Sequence, residues 1–145
     1  MDAIAQVTGE RPFFPRAPKA ARAQEIHDED GGAYSLRALG RCPRDGSIDP
    51  SSPPSPTISM ALHLIHGPLA SEWLSAPGGR IAALTKNPQP PGKIADQLFL
   101  VSLGRLPSAD ERRRAIEALG AEATPERVED LLWSLLASTE FSMNH

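Results

Sequence analysis

The sequence predicts an all-α protein: a small helical bundle preceded by a long, irregular, proline-rich N-terminal segment. Three observations carry this prediction. Apolar residues recur at helical spacing through the last third of the chain, as in VEDLLWSLLASTEF at 128–141. No stretch shows the strict apolar–polar alternation of a half-buried strand. The 15 prolines, about twice the usual ~5% share, stand mostly before residue 92, where they break helix and remove ladder donors. The implied organisation is residues 1–56, the end of a helix plus irregular chain, and residues 57–145, the bundle. A chain of 145 residues has room for one domain and one core.

Taken in order, DAIAQVT reads as a short helix, with Ile4 and Val7 three apart and Gly9 at the stop position. A helix this short is marginal alone, which leads us to expect that residues precede Met1. Residues 10–56 read as irregular, with DPSSPPSP as an extended linker and one possible short element around Tyr34, Leu36 and Leu39. A stretch this long without regular structure usually wraps a partner surface or is disordered. From Thr57 the pattern turns helical: ISMALHLIHG spaces Ile58, Ala61, Leu62 and Ile65 along one face, and PLASEWL opens a second short helix at Pro68. GRIAALT adds another turn before NPQPPG breaks the chain.

Three longer helices follow. KIADQLFLVSLG carries Ile94, Leu98 and Val101 on one stripe and ends at Gly104. PSADERRRAIEALG opens with Ser108 and Glu111 as a capping box, turns Ile116 and Leu119 inward, and ends at Gly120. ATPERVEDLLWSLLASTEF reads as one terminal helix from Thr124, burying Leu131, Leu132, Leu135 and Leu136 with Trp133 on its flank. Short loops make the three antiparallel neighbours.

Charge and motifs exclude several classes. The net charge is −3, and the basic run RPFFPRAPKAARAQ is cancelled by EIHDED directly after it, so no nucleic-acid surface is expected. No apolar run approaches the ~20 residues of a membrane span, and no signal peptide is visible. Cys42 is the single cysteine and has no internal partner; Arg41 and Arg44 beside it could lower its pKa, but its turn-like context reads as an unreactive loop or half-buried thiol. G-x-S-x-G, phosphate-cradling glycine loops, HExxH and C-x-x-C-H are all absent. Arg112 to Arg114 read as a solvated helix face neutralised in part by Glu111 and Glu117. The one metal-like pair is His63 and His66, whose i, i+3 spacing brings two imidazoles to one face. Glu72 or Asp96 would be the available carboxylate, and the spacing selects neither.

The blocks ALHLIHGPLASEWLSAPGGRIAAL, IADQLFLVSLGRLPSADER and VEDLLWSLLASTEFSMNH resemble, in order and spacing, the C-terminal half of a planctomycete-type domain of unknown function, the fifteen-fifty-three family. The opening DAIAQVTG and the middle GRCPRD also look like segments of that family. The resemblance implies that the chain is the tail of a larger secreted or envelope-associated protein, and that Met1 falls inside the family domain. It implies haem only in the cytochrome-c-like domains that accompany family members, and it transfers no catalytic residue. His66 stands where the family usually carries Asn, which weighs against a metal pair, and Cys42 alone remains where members often carry several cysteines.

The expectation is a non-catalytic helical module, needing no cofactor, that packs against an upstream domain or partner through an uncovered apolar face including Trp73 or Phe99. The alternative is a metal- or cofactor-dependent enzyme domain built around His63 and His66.

Overall fold

The computed structural model describes residues 1–10, 14, 18, 21–26, 72–87 and 89–144. Among them every regular element is helical, which bears out the all-α class. In chain order these are α1 (Asp2–Thr8), a 3₁₀ turn (Ala23–Glu25), α2 (Arg80–Thr85), α3 (Pro91–Leu103), α4 (Ala109–Leu119), α5 (Pro125–Leu136) and α6 (Thr139–Asn144). Residues 72–74 are also helical. The segment 27–71, with Cys42, His63, His66 and the helix expected from Thr57, lies outside the described residues.

α3 packs against both α4 and α5, and α4 and α5 pack against each other. α2 lies on α5, α6 closes over α3 and α5, and α1 joins through α2. One buried cluster runs through all of them: Ile4 and Val7 of α1, Ile81 and Leu84 of α2, Ile94, Leu98 and Phe99 of α3, Leu119 of α4, Val128, Leu132 and Leu135 of α5, and Phe141 of α6. Leu98, Leu119, Val128 and Leu132 are fully buried at 0% exposure. A side chain of this kind contributes about 1.5–3 kcal/mol when withdrawn from water. A smaller cluster joins Phe14 and Ile26, with Met1, Ala21 and Ala23 against it. The 3₁₀ turn beside it is held by Asp2, whose carboxylate accepts from Ala23 N at 2.8 Å.

The helix ends follow the sequence closely where caps are strong. Gly9 and Gly104 terminate α1 and α3 in the left-handed region, at φ +80° and +69°. The capping box of α4 forms as expected: Ser108 N donates to Glu111 Oε2 at 2.8 Å, and Glu111 N donates to Ser108 Oγ at 3.4 Å. α3 begins at Pro91, two residues ahead of the expected Lys93, because a proline in the first turn has no N–H to lose.

Four expectations need correction. The terminal helix is not continuous: it breaks at Ala137 and Ser138, dividing α5 from α6. Ser138 causes the break by serving both helices. Its hydroxyl donates to Leu135 O at 2.6 Å and accepts from Phe141 N at 3.2 Å, capping α6 while closing α5. The inner face of α4 is Ala115 and Leu119, with Ile116 half-buried; the small Ala115 lets α4 lie close to its neighbours. The inner stripe of α5 is Val128, Leu132 and Leu135, and Leu131 and Leu136 pack only at its margins. Phe99 is buried, and Trp73 packs half-buried against the core, so neither forms an uncovered face.

Replacing Leu132 by Ala should lower unfolding free energy by about 2–5 kcal/mol, the range for a buried leucine leaving a cavity. Leu106→Ala, at a position 63% exposed, should change it by less than about 0.5 kcal/mol. Urea denaturation of the two variants, followed by far-UV circular dichroism, checks both.

Candidate interaction surface

The charged side chains of α3, α4 and α6 are organised by Arg105, which follows the Gly104 stop. Its Nε donates to Glu140 Oε1 at 2.7 Å, and Nη2 donates to Glu140 Oε2 at 2.7 Å and Glu111 Oε1 at 2.8 Å. Nη1 donates to Glu111 Oε2 at 2.9 Å and to Leu106 O at 3.2 Å. All five guanidinium donors are therefore used, two on each carboxylate and one on the backbone. The cation also lies 5.7 Å from the centroid of the Phe99 ring. These hydrogen bonds pull the Glu111 carboxyl down to about 2 from its ordinary 4.5, with the Ser108 amide and hydroxyl adding to the effect. Glu140 is lowered by the same cation. With Arg105 and both glutamates more than a third exposed, the network orients α6 more than it stabilises the fold.

A second cation shapes the corner between α1 and α2. Arg80 Nε donates to Val7 O at 2.6 Å and Nη2 donates to Gln6 O at 3.1 Å, capping the carbonyl end of α1. Gly79 makes this approach possible: a Cβ there would sit 3.1 Å from Ala76 O and 3.2 Å from Thr8 O. An open groove of about 400 Å³ lies over this corner, lined by Gly9, Gly78, Gly79, Leu84, Gln89 and Gln97 around Arg80. Its one cation is already committed to α1, so the Gly-Gly-Arg stretch works as a joint between two helices.

Of the residues singled out as possible metal ligands, His63 and His66 lie outside the described residues. Asp96 is gripped by Arg112, through Nε at 2.9 Å and Nη2 at 3.3 Å, and Glu72 is exposed. No group of three or more His, Cys, Asp or Glu positioned to hold a metal occurs among the described residues. In the Arg112–Arg114 run, Arg113 pairs with Asp110 at 2.7 Å.

Beside these charged groups the described surface presents four large apolar side chains. Leu100, Leu106, Trp133 and Met143 are 55%, 63%, 38% and 82% exposed. Trp133 stands on α5 opposite the buried stripe, with Glu126, Glu129 and Asp130 one or two turns before it. Burial and the neighbouring Asp130 and Glu126 charges push the Glu129 carboxyl up. Sequence reading placed Trp133 on the helix flank but missed this face; the E-x-x-E-D-x-x-W spacing was the available signal. No described helix is long and apolar enough to cross a membrane. No family model matches the chain, and no match is found among curated proteins or solved structures.

Two measurements test these roles. Glu111 titrates lower in the folded chain than its ordinary 4.5, so its contribution is full above that value and is lost as pH falls toward about 2. Arg105→Leu should therefore flatten the acid branch of the stability–pH curve between those limits, as read by urea midpoints at successive pH values. Arg80→Ala should speed amide exchange across residues 2–8 and leave α3, α4 and α5 unchanged, as read by hydrogen-exchange mass spectrometry.

Proposed function

We propose that the chain is a non-catalytic helical module, the C-terminal part of a larger secreted or envelope-associated protein, that packs against an upstream domain or partner chain. The observation that carries this reading is the division of labour on the surface. Arg80, Arg105 and Arg112 are spent on helix carbonyls and paired carboxylates, while large apolar side chains at 100, 106, 133 and 143 stand in solvent. Exposed tryptophan, leucine and methionine side chains are the residue types that gain most from a partner surface. The resemblance of the three sequence blocks to the planctomycete-type domain supports the placement in a larger protein.

The test is hydroxyl-radical footprinting of Trp133 and Met143 in the isolated 145-residue chain and in the complete product of the gene that encodes it. The reading expects both side chains to be modified several-fold more slowly in the complete product. Equal rates at both positions would overturn the packing. A reading frame confined to these 145 residues would remove the larger-protein part of the proposal.

A further inference from the structure

The face of α5 turned away from the core has a chemistry of its own. At 100° per residue, Glu126, Asp130, Trp133 and Ala137 fall on one stripe, about half a turn from the inward Val128, Leu132 and Leu135. Glu129 sits at its edge beside the half-buried Leu136. From Glu126 to Ala137 the stripe is roughly 16 Å long. It therefore joins three carboxylates to an indole 38% exposed and a small apolar patch at its end.

Four carboxylates of the bundle are neutralised by arginine among the described residues, and these three are among those that are not. Asp96, Asp110, Glu111 and Glu140 each face an arginine. Among the described residues no ion pair reaches Glu126, Glu129 or Asp130. Spaced three and four apart on one helix, the carboxylates repel one another; Glu126 gains from the positive helix N-terminus, whereas Glu129 and Asp130 lie a turn beyond it. The spacing alone leaves an incoming cation a repulsion to relieve; burial first, and then the Asp130 and Glu126 charges, also raise the Glu129 carboxyl. The indole supplies the other half of such a site: its face attracts ammonium and guanidinium groups, and its breadth accepts the aliphatic stem of lysine or arginine.

We propose that this face docks a basic segment of the protein against which the module packs, with lysine or arginine side chains lying over Trp133 and between Glu126, Glu129 and Asp130. The proposal rests on the module reading above and specifies the partner chemistry by charge complementarity.

The probe is an amphipathic 14-residue peptide of leucine and lysine, titrated into the ¹⁵N-labelled 145-residue chain, with a leucine–glutamate peptide as its control. The expected result is a saturable shift of the Trp133 indole N–H with the lysine peptide alone, weakening as salt is raised. Glu129→Lys with Asp130→Lys should weaken binding at least about tenfold, the scale of losing a desolvated charge contact. Glu117→Lys with Glu122→Lys makes the same change of net charge outside α5 and should leave affinity within about twofold. Trp133→Ala, whose side chain lies outside the core, should keep the helical circular dichroism and lose the binding. The proposal is overturned by an unmoved Trp133 indole at saturating peptide, by equal binding of the glutamate peptide, or by equal weakening in the two charge-reversal pairs. A complete gene product that shields Met143 but leaves Trp133 open would reject this site while preserving the module reading.

Discussion

The structure depends on the inward stripe of α5. Val128 and Leu132 are wholly withdrawn from water and Leu135 nearly so. They are the surface on which α2, α3, α4 and α6 converge. The short helices α1, α2 and α6, at 6 or 7 residues each, would not hold in water alone, since helix nucleation is costly and propagation too brief to offset it. Each becomes a helix by delivering a few side chains to that common core: Ile4 and Val7 from α1, Ile81 and Leu84 from α2, Phe141 from α6.

Burial supplies the energy, and the polar contacts supply direction. Arg105 joins the α3–α4 connection to the start of α4 and to α6 with a planar fork whose five donors all find acceptors. Arg80 does the same at the α1–α2 joint with two backbone carbonyls. Neither arrangement is deeply buried, so neither adds stability comparable to Leu132. Hydrophobic contact is non-directional; angular constraints from such forks help a set of short helices settle into one arrangement.

Having the core on one side of α5 leaves the other side available. The same helix that buries Leu132 presents Trp133 one residue later, a rotation of 100° toward solvent. Glu129 and Asp130, unlike Asp96, Asp110, Glu111 and Glu140, face no arginine among the described residues, and their charge, with the indole beside it, is what the proposed basic partner would meet. The functional reading thus follows from an asymmetry of α5 itself, not from a cleft.

The sequence by itself determined the class, the helices from Lys93 onward and most of their ends, because those depend on local chemistry: the 3.6-residue period, the Ser108–Glu111 box, and glycines at 9, 104 and 120 that accept positive φ. It also pointed to Leu119 and Leu132 as core. Tertiary structure decided the rest. Periodicity shows that a helix has an apolar side but not its angular centre, so Ile116 and Leu136 were placed too deep, and Phe99 was expected outside where contact with neighbouring helices buries it. The break at Ser138 depends on one hydroxyl choosing between Leu135 O and Phe141 N and making both contacts. The Arg105 hub joins residues 35 positions apart, and no local pattern encodes a meeting of that kind. Distance along the chain separates what local rules can specify from what only packing brings together.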